Sequence, residues 1–460
     1  MAASSPRTLA ITNPANGRLL EKLPCDDARA VRAKVEAACR AQPGWAAVPL
    51  SKKLAMIKAF RDSLIAERED LALILTSEMG KPISQARNEL NALTGRIDFF
   101  LAETRRALKP RQVFNDGGMK EIIAHEPLGV IANISAWNYP YFVGGNVFIP
   151  ALLAGNAVLY KPSEFATLTG LAIARHLHTA GVPDDVFIPL VGDGKTGADL
   201  LKHDLDGVFF TGSYATGRKI AEAVAGRLIK VQLELGGKDP VYVAADADAA
   251  KVAAGIADGA FYNTGQSCCS VERIYVHEHL HDAFVEHFLA TVAGFKVGDP
   301  MDPATYIGAI TRAPQRAVLE AQCADALSKG ATLLRGGQRA PFNSFQPTVF
   351  TNVNHAMDLM REESFGPVIG IQKVAGDAEA VALMNDTRYG LTASVYTRDE
   401  AAARKLMARV HAGTVYWNCC DRVSPRLPWS GVGDSGIGLT LSHHGIAAFT
   451  RVKAWHLRQP

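Results

Sequence analysis

The chain has 460 residues, of which 48% are apolar and 21% charged, and a formal net charge of +3. That length exceeds one compact core and implies two or three domains of a globular protein. The small net charge, with no Lys/Arg-rich run, leaves no nucleic-acid footprint. The seven cysteines lack the spacing of a disulfide framework or a zinc cluster, so no metal site is expected and a reducing, cytoplasmic setting is. Met1 to Arg7 carries neither a signal-peptide core nor the arginines of a transit peptide.

In chain order, a short strand pair leads to Asp26-Asp27, an N-cap signal, with Val31, Val35 and Ala38 following at helical spacing. Leu54, Ile57, Phe60, Leu64 and Ile65 form a second amphipathic face, and a third helix is predicted over about Ser84 to Ala107. A polar segment, Lys109 to Lys120, holds the turn signal Asn115-Asp116-Gly117-Gly118. Pro127 to Tyr160 then contains no charged residue, long enough to span a membrane. Pro140 and Pro150, with interspersed glycines and asparagines, break it into strand-like and helix-like pieces. A buried part of an α/β domain is the expectation, with no membrane insertion.

From 128 to 233 strand-like segments alternate with helix-like ones: Val130–Ile134, Ala157–Lys161, Phe187–Val191, Gly207–Thr211 and Val231–Glu234. Alternation of this kind implies a parallel sheet with helices on both faces. A second alternating region, Pro240 to about Val432, has likely strands at Val241–Val243, Ile274–Val276, Val368–Gln372, Ser394–Thr397 and Thr414–Asn418. The fold class is α/β with two parallel-sheet domains, and the active site should lie in the crevice between them.

Several short segments could carry chemistry, and each also has a plain structural reading. Gly192-Asp193-Gly194-Lys195-Thr196-Gly197 fits GxGxxG after a strand, yet an ordinary tight turn looks the same. Gly212 and Ser213 open another strand-to-helix turn, where Ser213 could meet a phosphate or cap the helix. Lys161, Ser163 and Glu164 end a strand. A carboxylate there suits a ribose 2′-hydroxyl and repels a 2′-phosphate, so Glu164 favours NAD over NADP. Glu234-Leu235-Gly236-Gly237-Lys238 offers a carboxylate beside bare backbone, and burial would raise its pKa towards that of a general base. Gly265-Gln266-Ser267-Cys268 sets a cysteine among small residues, although a lone cysteine is more often a small buried hydrophobe. Trp137-Asn138-Tyr139-Pro140 supplies an amide suited to an oxyanion. Met360 to Pro367 joins the carboxylate of Glu363 to the ring of Phe365.

Taken together and in this order, ending with Pro428 to Gly438, the segments resemble the aldehyde dehydrogenase superfamily over nearly the whole chain. The 34 residues from Glu234 to Cys268 fit as well. The resemblance implies that Cys268 is the nucleophile, that Asn138 and the Cys268 N–H stabilise the oxyanion, and that Glu234 activates the hydrolytic water. It implies cofactor contacts from Trp137, Lys161, Ser163, Glu164, Gly192, Gly212, Ser213, Leu235, Glu363 and Phe365. It places Tyr139, Val143, Asn146, Ser267, Cys269, Val423 and Trp429 on the walls of a tunnel for a small-molecule aldehyde. The implied division is 1–108 with 125–235 for cofactor binding, 236–432 for catalysis, and 109–124 with 433–460 for a bridging element that builds homodimers or homotetramers.

The chain departs from the family pattern at Ala136, where proline is usual, and in the C-terminal motif, where Thr440 replaces a glutamate. Glu234 is therefore expected to act alone. The tunnel points two ways. Tyr139 and Trp429 suit a quaternary ammonium, as in betaine aldehyde. Arg422 and Arg426 suit the carboxylate of a semialdehyde such as succinate semialdehyde, unless they form a solvated loop face. A coenzyme A-acylating enzyme and a non-catalytic relative are the alternatives; Glu234 opposes the first, and the set Asn138, Glu234 and Cys268 opposes the second.

Overall fold

The computed structural model describes residues 7–459. Two sheets organise it. In the first, five strands run parallel in the spatial order Lys230–Glu234, Gly207–Thr211, Val130–Ile134, Ala157–Lys161 and Phe187–Pro189. The chain winds outward from Val130–Ile134 to one edge, then returns to that strand's other side. The switch point therefore lies between Val130–Ile134 and Gly207–Thr211, where the crevice of an open α/β sheet takes its ligand. These strands are almost wholly buried and rich in β-branched residues, as a sheet covered on both faces requires.

The second sheet has seven strands in the order Thr332–Arg335, Thr348–Thr351, Val368–Val374, Val271–His277, Asp239–Val243, Thr392–Tyr396 and Thr414–Trp417. All neighbours are parallel except the first pair. The ten strands expected from alternation are present, with ends moved by up to three residues. Helix Arg68–Met79 was not anticipated; its Leu71, Leu75 and Met79, four apart, are fully buried.

The uncharged stretch resolves into strand Val130–Ile134, helix Pro140–Ala154 and strand Ala157–Lys161. Proline sits at the start of that helix, where its missing N–H costs nothing. Gly155 ends it at φ 99°. Fifteen residues span only about 22 Å, short of the hydrocarbon core. Among the described residues no helix is long and apolar enough to cross a membrane.

A third, antiparallel sheet forms an arm from Arg111–Asp116, Met119–Pro127 and Thr450–Arg458. Its hairpin turns at Gly117 and Gly118, both at positive φ, as a two-residue turn needs. The arm differs from the bridging element expected at 109–124 and 433–460. Its central strand continues to Pro127, and residues 433–449 stay with the first sheet. There Gly436–Ile437 pairs with Leu233 and Glu234, and helix Ser442–Ala447 packs on helices Ile83–Ala107 and Pro140–Ala154. The physical reason is burial: Leu441, Ile446 and Phe449 are core residues, whereas Thr450–Arg458 is exposed along its length.

Candidate active site

Cys268 sits in a loop fixed on both sides. Before it, Asn263, Thr264 and Gly265 all adopt positive φ, at 54°, 60° and 69°. For Asn and Thr that conformation is strained and persists only when the surroundings impose it. Here they do: the Asn263 side chain donates to the carbonyls of Asn138 (3.2 Å) and Gln266 (2.9 Å). The Gln266 side chain in turn bonds Ala309 O and Thr311 N. After it, the Ser270 hydroxyl donates to the carbonyls of Gly259 and Ala260. Cys268 itself is half-buried.

Its neighbour Cys269 is buried, donates to Asp421 Oδ1 at 3.0 Å, and lies 3.5 Å from the Ser267 hydroxyl. Its thiol is pushed up, first by hydrogen bonding with Cys268, then by burial and by Asp421. A thiol held neutral is a poor nucleophile. The two adjacent cysteines thus differ sharply in access and in surroundings.

Asn138 ends the loop after strand Val130–Ile134. Its side-chain amide donates to Gln266 O at 3.2 Å, and an NH₂ group has a second hydrogen. Trp137 packs edge-on against Phe165 and Phe365, at 6.4 and 5.5 Å between centroids.

Glu234 ends the strand beside the switch point and is buried. Burial pushes its carboxyl up to about 7, against lowering by the Thr440 hydroxyl, the Arg96 charge and the Gln232 amide. Gln232 Nε2 donates to it at 3.0 Å, and the Thr440 hydroxyl donates to the same oxygen. Sequence reasoning did not anticipate this contact: Thr440, at the position of the absent glutamate, hydrogen-bonds Glu234 directly. Two backbone bonds with Trp429 (2.8 and 2.9 Å) hold Thr440 in place.

On the other side of the crevice, Glu363 accepts from Gly237 N at 3.2 Å. A Cβ on Gly236 would stand 2.3 Å from the Glu363 carboxylate, so a side chain there would push that carboxylate from its place. Burial, with repulsion from Glu272, pushes Glu363 up to about 8. Lys238 and Glu272 form a buried ion pair, and Glu272 also accepts from Ser364 N and Phe365 N. Sequence reasoning missed Glu272, which pins the Glu363–Phe365 loop to the second sheet. It also missed Asn263, whose place before Thr-Gly was a usable turn signal.

The strand ends of the first sheet suit a dinucleotide. Lys161 is buried and reaches Glu164 at 3.5 Å, while Glu164 remains partly exposed. Burial lowers the Lys161 pKa. Ser163 Oγ accepts from Phe165 N and contacts Glu164. Exposed Ser213 caps helix Tyr214–Val224 through Thr216 N at 3.4 Å, after Gly212. Leu235 is buried and donates its N–H to Ser435 O. The Gly192 turn differs. Asp193 caps its own helix and is paired with Arg7 at 2.7 Å. That helix start already faces a carboxylate, so the plain-turn reading fits Gly192 better than a phosphate cradle.

Of the tunnel residues, Tyr139 stacks on Phe142 and lies under Lys81 Nζ, 3.8 Å from the ring centroid. Asn146 and Val423 O both accept from Arg96, Val143 is buried, and Trp429 is buried. Arg422 and Arg426 are exposed, as a solvated loop face would be. Among the described residues no group of His, Cys, Asp and Glu could hold a metal.

Comparison with known proteins agrees with this architecture. The sequence profile of the Aldehyde dehydrogenase family matches residues 1–455. The 3,6-anhydro-alpha-L-galactose dehydrogenase of Streptomyces coelicolor is 37% identical, covering 99% of this chain and 94% of that protein. The betaine aldehyde dehydrogenase of Mesorhizobium japonicum is 34% identical over 97% of this chain and 93% of its own length. An NADP dependent enzyme of E. coli has a crystal structure that superposes with TM-score 0.96 at 31% identity, covering 98% of this chain and 95% of that one. The chain belongs to the aldehyde dehydrogenase family. It is an NAD(P)-dependent oxidoreductase that acts on aldehydes.

Proposed function

We propose that the protein oxidises its aldehyde to the free carboxylic acid through covalent intermediates on Cys268. The observation that carries this reading is the pairing of one accessible thiol, Cys268, with one buried carboxyl, Glu234, pushed up to about 7. A base of that strength is matched to proton transfer near neutral pH. The Cys268 thiolate attacks the carbonyl carbon and forms a thiohemiacetal. The free N–H of the Asn138 amide and the Cys268 backbone N–H stabilise the alkoxide. NAD(P), which the strand-end residues of the first sheet would hold, would supply the hydride acceptor for oxidation of the thiohemiacetal to a thioester. Glu234 takes a proton from water, the resulting hydroxide adds to the thioester, and Cys268 leaves as thiolate.

Lys161, Ser163 and Glu164 hold the adenosine ribose, Gly212 and Ser213 the pyrophosphate, and Glu363 with Phe365 and Trp137 the nicotinamide side. The Glu164 carboxylate favours NAD over NADP by repelling a 2′-phosphate. A hydrolytic base at Glu234 opposes coenzyme A transfer, because it would consume the thioester first. The first sheet serves cofactor binding and the second catalysis. The arm, with exposed Val452, Trp455 and Leu457, joins subunits into a homodimer or homotetramer. The whole works in the cytoplasm.

Product analysis tests the reaction. Carboxylic acid and reduced cofactor should form in equal amounts, with or without coenzyme A. An acyl-coenzyme A product, or dependence on coenzyme A, would contradict it. The ratio of kcat/KM for NAD and NADP tests Glu164, with NAD expected to be the better.

A further inference from the structure

Helix Ile83–Ala107 buries a stripe that includes Glu89, Leu93, Arg96 and Phe100. An arginine inside such a stripe is rare unless it is paired. Glu89, the acid of that buried stripe, is committed elsewhere: to Lys81 Nζ and to the backbone N–H of Tyr141. Both hydrogen-bond acceptors of the Arg96 guanidinium are neutral, Asn146 Oδ1 at 3.0 Å and the more distant Val423 O at 3.4 Å. Its remaining contact is the ring of Phe142, 4.2 Å from the guanidinium carbon. Lys81 and Glu89 cancel. Arg96 is left as a buried charge without a carboxylate among the described residues.

Its position matters. Arg96 reaches both Asn146 and Val423, two of the expected tunnel residues, and lies near enough to Glu234 to lower its pKa. It therefore borders the expected tunnel on the side of the proposed base. Tyr139, and Phe142 stacked on it, already carry cations: Tyr139 carries Lys81 and Phe142 carries Arg96. A quaternary ammonium would find those two ring faces taken, and at Phe142 it would meet the unpaired charge of Arg96. The acids of this region do not reverse that sign. Glu234 and Asp421 are each pushed up to about 7 by burial, so neither is a full anion at neutral pH, and Asp421 already accepts from Cys269.

We propose that Arg96 is a specificity-determining residue that receives the carboxylate of an ω-oxo acid, making a semialdehyde the substrate class. The inference rests on the oxidation proposed above. The carboxylate replaces the long bond to Val423 O and converts an unpaired buried cation into a charge-assisted, bidentate pair. No bond is made or broken at this end of the substrate. Arg422 and Arg426, the arginines first suspected from sequence, take no part.

The test compares four aldehydes: succinate semialdehyde, butanal with the same carbon chain and no charge, glyceraldehyde and betaine aldehyde. The wild-type enzyme should prefer succinate semialdehyde to butanal by about 10- to 100-fold in kcat/KM, the worth of one charged hydrogen-bonded contact. In Arg96→Gln that ratio should fall to near one, and Arg96→Lys should keep part of it. Glutarate should inhibit wild-type butanal oxidation competitively while pentanamide does not, which needs no variant to fold. A wild-type ratio near one, a preference for betaine aldehyde or glyceraldehyde, or an unchanged ratio in Arg96→Gln would overturn the proposal. So would an Arg96→Gln effect confined to the pH profile, since that would make Arg96 a partner of Glu234 only. Turnover of butanal without charge preference removes this inference and leaves the reaction standing. No turnover of any of the four removes the reaction itself.

Discussion

Two buried glutamates face the same crevice from different sheets, and they are held in opposite ways. Glu272, on the second sheet, is ion-paired with Lys238 and accepts two backbone N–H groups. Glu234, on the first, has among the described residues no ion-pair partner and only an amide and a hydroxyl as donors. Both carboxylate oxygens of Glu272 are engaged, so it ties down the loop carrying Glu363 and Phe365. For Glu234 desolvation outweighs its donors and the nearby charge of Arg96, leaving a carboxyl pushed up to about 7. The difference separates a carboxylate that holds structure from one that can exchange a proton at neutral pH.

The comparison can be broken by exchanging what each residue has. Glu234→Gln should lower steady-state turnover by about 10²- to 10⁴-fold, the usual worth of a general base, with little loss of fold. Glu272→Gln should do the reverse. It strands Lys238 in the interior and should cost about 3–5 kcal/mol of stability, read as a lowered midpoint in urea. A variant of Glu272 that folds as well as wild type would show that the pair is not holding the loop.

The acidity of Glu234 makes a smaller, signed prediction. Its pKa is raised in the folded state from the ordinary 4.5 to about 7. The stability that its protonated form allows is complete below about 4.5 and is lost as pH rises through about 7. Glu234→Gln should thus gain stability relative to wild type between pH 5 and pH 8, by up to about 3 kcal/mol. A constant difference across that range would remove the burial argument. Turnover limited by hydrolysis should rise over the same interval as Glu234 ionises. The smallest effect belongs to Thr440→Val. Removing the hydroxyl that favours the anion should move the rising limb of the pH–rate profile upward, by about half a pH unit to one.

Much of this was legible in the sequence because the strands are buried on both faces and separated by helices. Val130–Ile134, Ala157–Lys161 and Gly207–Thr211 could be bounded to the residue. The motif residues lie at the ends of such strands, so locating the strands located Asn138, Glu234 and Lys161. What could not be read depends on contacts distant in sequence. Strand Thr450–Arg458 is exposed throughout, and its partner lies more than three hundred residues earlier. Thr440 looked like a lost glutamate until the pairing of Gly436–Ile437 beside Glu234 brought its hydroxyl to that carboxylate. Arg422 and Arg426 drew attention by sitting in a tunnel loop, yet both face outward. Arg96 drew none, because only the packed helix shows that its side has no acid to spare.

The account depends above all on which of two adjacent thiols carries the acyl group. Glu234→Gln should be mixed with NAD and an aldehyde, quenched in acid, digested, and weighed by mass spectrometry. The account predicts an acyl adduct on Cys268 that persists because hydrolysis is slowed, and none after Cys268→Ala. An adduct on Cys269, or no adduct with turnover undiminished, would contradict it.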